Sequence, residues 1–125
     1  MKEIYFIKQD EIKKINNSKI NKFNKALILA AICRVNTLSI IKRAGSGHIG
    51  TSFSAMDLFI WLKYFEFPSK KKNLNNLNRN IFFSSKGHDV PALYSVLYAL
   101  KIIPFEKMKR LRKLNGLDGH PDVSI

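Results

Sequence analysis

From about Asn21 to Arg43 the apolar residues Phe23, Leu27, Ala31, Val35 and Leu38 recur at helical spacing, and Gly45 stands where a helix should stop. The pattern predicts a helix over 22–43 that buries this face. A second helix is predicted over 52–66, SAMDLFIWLKYF being apolar on nearly all sides, with Ser52 or Ser54 as cap and Asp57 near the positive end. Pro68 ends it. Residues 69–80, SKKKNLNNLNRN, have no periodicity and read as an exposed loop. IFFSS, residues 81–85, reads as a short buried strand over 81–84. Helices are predicted over 90–101, with Pro91 in the first turn, and over 104–113. Residues 3–15 suit a short lysine-rich helix, interrupted at Asn16–Ser18.

Composition narrows this little. A chain of 125 residues with 46% apolar content can bury one core. The longest clean apolar run, Ala26 to Cys33, is too short to span a bilayer and too late behind its lysines for an export signal. It reads as a buried helix. One cysteine allows no internal disulfide, which fits a reduced, cytoplasmic setting. The net charge of +13 would suit a nucleic-acid partner. The excess is spread, however: +7 in residues 1–43, +3 in 44–100 and +3 in 101–125, without an aromatic-interleaved patch. Neither a nucleic-acid nor a membrane partner is expected.

The chemistry lies in the histidines. There are three, and each follows one of only six glycines: Gly47-His48, Gly87-His88 and Gly119-His120. Chance would give this on the order of once in 10,000 such chains. His48 falls just before a helix, His88 between a strand and a helix, and His120 in the last loop. Glycine permits a positive φ or the close approach of a ligand to the backbone. Ordinary loop histidines are one reading. Zinc does not fit separations of 40 and 32 residues without a Cys or carboxylate pair at ligand spacing. No G-x-S-x-G elbow or Gly-Lys-Ser/Thr loop is present. What remains is a loop-borne site for phosphate and hydroxyl groups, with imidazoles moving protons near neutral pH.

SGHIGTSFSAMDL, SSKGHDVPALYSVL and GLDGHPD, in this order, resemble the N-terminal segment of transketolases, which use thiamine diphosphate. The resemblance covers about 25–125. It divides the chain into a variable lysine-rich extension, 1–20, and a partial N-terminal domain, 21–125. It implies an α/β fold: the mostly helical first part of a parallel-sheet, thiamine diphosphate-binding fold. It implies transfer of a two-carbon ketol unit between sugar phosphates. By resemblance His48 and His120 are catalytic, and with Ser46 they bind substrate. His88, Gly87 and Gly119 bind the cofactor.

Two departures stand out. Ile49 occupies a position where the family often has Pro. No GDG motif, the start of the family's Mg²⁺ site, is present, so no metal ligand is expected in this chain. The reading is therefore the N-terminal fragment of a transketolase-like enzyme, inactive alone. It would be completed by a missing C-terminal portion or second subunit, in a homodimer or heterotetramer. The alternatives are a noncatalytic remnant of the family, a relative such as deoxyxylulose-phosphate synthase, or a small basic nucleic-acid-binding protein.

Overall fold

The computed structural model describes residues 5–68, 77–78 and 80–120. The elements are α1 (Gln9–Asn17), α2 (Lys22–Ala44), α3 (Ile49–Ser54), α4 (Met56–Trp61) with a π-helical turn over Leu62–Glu66, a 3₁₀ turn (Gly87–Asp89), α5 (Val90–Ala99) and α6 (Phe105–Met108). The loop expected over 69–80 lies mostly outside the described residues, as do Pro121 and Asp122.

Helix α2 is the axis of the molecule and packs against α1, α3, α4 and α5. Its ends follow local rules. Asn21 accepts a hydrogen bond from the Asn24 amide at 2.9 Å, and Gly45 ends the helix at φ 76°. At 23 residues it is long and apolar enough, by length and composition, to cross a membrane. Here one of its faces lies in the protein core.

That face is not the predicted one. Phe23 and Leu27 are 61% and 64% exposed, and Ala31 and Val35 also face out. The buried positions are Leu29, Ala30, Cys33, Asn36, Thr37 and Ile40. Residues 26–41 are apolar almost all round, so periodicity alone could not choose the side. Hydrogen bonding decides it. Asn36 Oδ1 accepts from the Ile7 amide at 2.7 Å, and its Nδ2 donates to the Ile7 carbonyl at 3.0 Å. Thr37 Oγ1 donates to Ser95 Oγ at 2.9 Å, which donates to the Pro91 carbonyl at 3.0 Å. Polar groups with such partners can be buried, and the helix turns its surplus apolar residues outward. Phe23 stacks on Trp61 with ring centres 5.3 Å apart, and Lys22 Nζ lies 5.3 Å from both rings.

The lysine-rich first segment is partly core. Residues 5–8 of the predicted 3–15 helix are not helical, and its first two lie outside the described residues; α1 begins at Gln9 and runs to Asn17, Ile12 is fully buried, and Phe6 packs on Tyr98 and Phe105. The helix predicted over 52–66 starts earlier and breaks at Ala55 into α3 and α4. Neither serine caps it. His48 takes the cap position without a side-chain hydrogen bond, and Ser52 is fully buried. Asp57 does lie in the first turn of α4, where it pairs with Arg34. Arg34 also donates to the Phe53 carbonyl from Nε at 3.2 Å and Nη2 at 2.9 Å, fastening α3 to α2.

Two further expectations change. Residues 81–84 have no regular secondary structure and form no ladder: Phe82 packs edge-on against Phe59, while Ile81 and Phe83 are 79% and 83% exposed. A strand needs a neighbour, and none of the described residues supplies one. The only bridge among them is the isolated pair Leu111–Leu117. The helix predicted over 104–113 stops at Met108. Arg112 and Asn115 adopt left-handed φ values of 57°, which reverses the chain and buries Leu111 and Leu117. The described residues are thus mostly helical.

Candidate functional site

The three Gly-His corners begin far apart in sequence and meet at the ends of the helices. The first is the turn between α2 and α3. Gly47 has φ 155°, and a Cβ there would lie 2.8 Å from Ile41 Cγ1 on the last turn of α2. Only glycine lets the chain pass this close, and it delivers His48 to the start of α3. Ser46 and His48 are exposed, and α3 carries two buried hydroxyls, Thr51 Oγ1 and Ser52 Oγ, without hydrogen-bond partners among the described residues.

The second corner is the 3₁₀ turn leading into α5. Buried Asp89 accepts from Ser84 Oγ at 3.3 Å, and the Lys86 amide donates to the same hydroxyl at 3.4 Å, so the turn is tied to the segment before it. Gly87 and His88 are half-buried here. The His88 ring meets His48 edge-on, with centres 4.9 Å apart.

The third corner hangs from α5. Buried Tyr94 donates its hydroxyl to the Asp118 carbonyl at 3.0 Å and lies 3.5 Å from that of His120. His120 is thereby pressed on the second corner: a Cβ on Gly87 would fall 2.2 Å from His120 Cδ2. His120 is exposed, and Gly119 before it lies close to Arg112, whose Nη1 donates to Ser46 Oγ at 2.9 Å.

All six residues singled out in the sequence, Ser46, His48, Gly87, His88, Gly119 and His120, therefore lie in one connected cluster. Two neighbours were missed. Tyr94 reads as an ordinary apolar position of α5. Arg112 falls in a stretch that reads as helix, and only its left-handed backbone turns its side chain to the corners. The cluster offers imidazoles, hydroxyls and one guanidinium, donors suited to an anionic, hydroxyl-bearing ligand. Among the described residues no three His, Cys, Asp or Glu side chains are grouped to hold a metal ion. The donor set thus suits phosphate and hydroxyl groups.

The sequence has known counterparts. Residues 25–125 match the family model of the transketolase thiamine diphosphate binding domain. The chain is 33% identical over 89 residues, 70% of its length, to a transketolase of Pongo abelii. It is 33% identical over 97 residues, 74% of its length, to one of Staphylococcus epidermidis, and 31% over 99 residues, 76%, to one of Buchnera aphidicola. These matches span only 14–15% of each relative's length.

Proposed function

Since the chain belongs to the transketolase family, we propose that it is the N-terminal part of a ketol-transfer enzyme, forming one wall of a thiamine diphosphate site. The observation that carries this reading is the contact of His48 with His88 and of His120 with Gly87, which unites three separate motifs. Thiamine diphosphate, when bound, supplies the electron sink for cleaving the sugar carbon–carbon bond. His88, with the bare backbones of Gly87 and Gly119, would bind its diphosphate end. Ser46, His48 and His120 would bind the hydroxyls of a sugar phosphate. The ring nitrogens of His48 and His120 would take up and return the hydroxyl protons as the ketol unit leaves one sugar and joins another.

The remaining parts of the reading concern the whole protein. Mg²⁺ would be held by residues beyond these corners. Segment 81–84 would pair within a parallel sheet supplied by further polypeptide, either a C-terminal portion or a second subunit. The whole would assemble as a homodimer or heterotetramer in the cytoplasm. Because its own donors are neutral or singly charged, the chain alone should bind thiamine diphosphate weakly and without turnover.

Calorimetric titration of the purified chain with thiamine diphosphate, with and without Mg²⁺, tests this. Weak binding should be indifferent to Mg²⁺, and should tighten when the remaining portion of a transketolase is added, together with turnover of xylulose 5-phosphate and ribose 5-phosphate. Tight Mg²⁺-dependent binding by the chain alone, or no gain from the added portion, would overturn it.

A further inference from the structure

The contacts around the corners form a closed ring, and one side chain completes it. Ser46 stands two residues before His48, whose ring meets His88. Gly87, next to His88, carries the His120 ring, and Gly119 precedes His120. The gap between Ser46 and Gly119 is filled by the Arg112 guanidinium. Its Nη1 donates to Ser46 Oγ at 2.9 Å across 66 residues of sequence. A Cβ on Gly119 would lie 3.0 Å from Arg112 Nε and 3.5 Å from both Cζ and Nη2, so the guanidinium lies close along the Gly119 backbone.

The chain goes to some trouble to place this group. Arg112 adopts φ 57°, a conformation that residues with a Cβ rarely take. It is held there from both sides: the Arg112 amide donates to the Leu117 carbonyl at 2.7 Å, and the Leu117 amide to the Arg110 carbonyl at 3.1 Å. Leu111 and Leu117 are buried on either side of this clasp. Among the described residues no carboxylate pairs with Arg112. A planar fork with five N–H donors can contact a hydroxyl and cover a peptide at once, which a lysine ammonium cannot.

We propose that Arg112 is a positioning residue, which locks the Ser46–His48 corner to the Gly119–His120 corner and so keeps His48 in contact with His88. Its relevance to ketol transfer rests on the function proposed above. The locking itself does not, and it can be measured without cofactor or substrate.

The test is NMR spectroscopy of the full chain and of the variants Arg112→Ala, Arg112→Gly, Arg112→Lys and Ser46→Ala. In the unmodified chain the His48 and His88 ring protons should show a mutual nuclear Overhauser effect. Arg112→Ala, Arg112→Gly and Ser46→Ala should each weaken it and shift the His48 and His88 ring-proton resonances. Arg112→Lys should restore part of both. Arg112→Gly is the decisive variant, because glycine accepts φ 57° freely and leaves the 110–117 clasp intact. If it keeps the ring contact and the ring-proton resonances in place, the backbone alone sets the corner and the proposal fails. Should Arg112→Ala unfold the clasp, Ser46→Ala, which removes the other end of the same hydrogen bond, decides by the same two readings. No gain in thiamine diphosphate binding on adding the remaining portion of a transketolase, with the lock intact, would reject the proposed function and leave this inference standing.

Discussion

The helical body and the three corners are held together by different means. In the body, α2 meets α1, α4 and α5 through many side chains, each excluding a little water, around Leu29, Cys33, Ile40, Met56 and Ile60. In the corners a few directional bonds and missing Cβ atoms fix the geometry: Arg112 to Ser46, Tyr94 to Asp118, and the bare backbones of Gly47, Gly87 and Gly119. A body of this kind resists small changes locally but loses stability as a whole. Corners of this kind change shape at little global cost. The lesson is that stability and site geometry can be varied separately here.

The largest effect should come from the body. Asn36→Ala removes two hydrogen bonds to Ile7 and leaves a buried gap, which should lower unfolding free energy by about 2–3 kcal/mol in a urea titration. The His48–His88 contact should survive in the folded fraction. Loss of that contact in this variant would show that body and corners are coupled after all.

Alkaline pH probes the same core. Burial pushes the Cys33 thiol up from 9.0 to about 12, with Arg34 opposing in part. Burial raises the Tyr64 phenol as well. The folded state therefore prefers both groups protonated. The Cys33 contribution is fully present below about pH 9 and is lost as pH climbs through about 12, at most ~1.4 kcal/mol per unit, and Tyr64 acts in the same direction at higher pH. Cys33→Ala should flatten the slope of stability against pH. Fast labelling of the thiol in the folded chain at pH 8 would contradict this burial.

The smallest effect on stability should come from Gly87→Ala. The new methyl group would collide with His120 Cδ2 at 2.2 Å, so the ring must move. Because His120 is exposed, the unfolding midpoint should shift by less than about 1 kcal/mol. The His120 imidazole resonances should move clearly. Unchanged resonances would mean that the third corner does not rest on Gly87.

Much of the site was legible because its signals are local. A glycine before each histidine and the flanking helix starts are visible in one dimension, and so are helices 22–43 and 90–101 to within a few residues. What could not be read depends on partners. The side of α2 that faces inward is chosen by Ile7 and Ser95, which lie 29 and 58 residues away. The strand at 81–84 requires a neighbour. Arg112 looks like one more helical cation until Leu111 and Leu117 close the chain on itself. The Arg112–Ser46 bond then joins positions with no common pattern.

The stacked pair on the outer face of α2 and α4 has a practical outcome for spectroscopy. Trp61 is the only tryptophan. Its ring neighbours are Phe23 at 5.3 Å and Phe65 at 5.2 Å, Lys22 lies over it, and its indole N–H donates to Glu66 at 2.9 Å. All of these belong to the α2–α4 seam, and none to the histidine corners. Tryptophan emission is therefore a built-in gauge of the scaffold. A ligand that merely fills the corners should leave its wavelength unchanged, whereas a spectral shift on binding would report that the seam itself has moved.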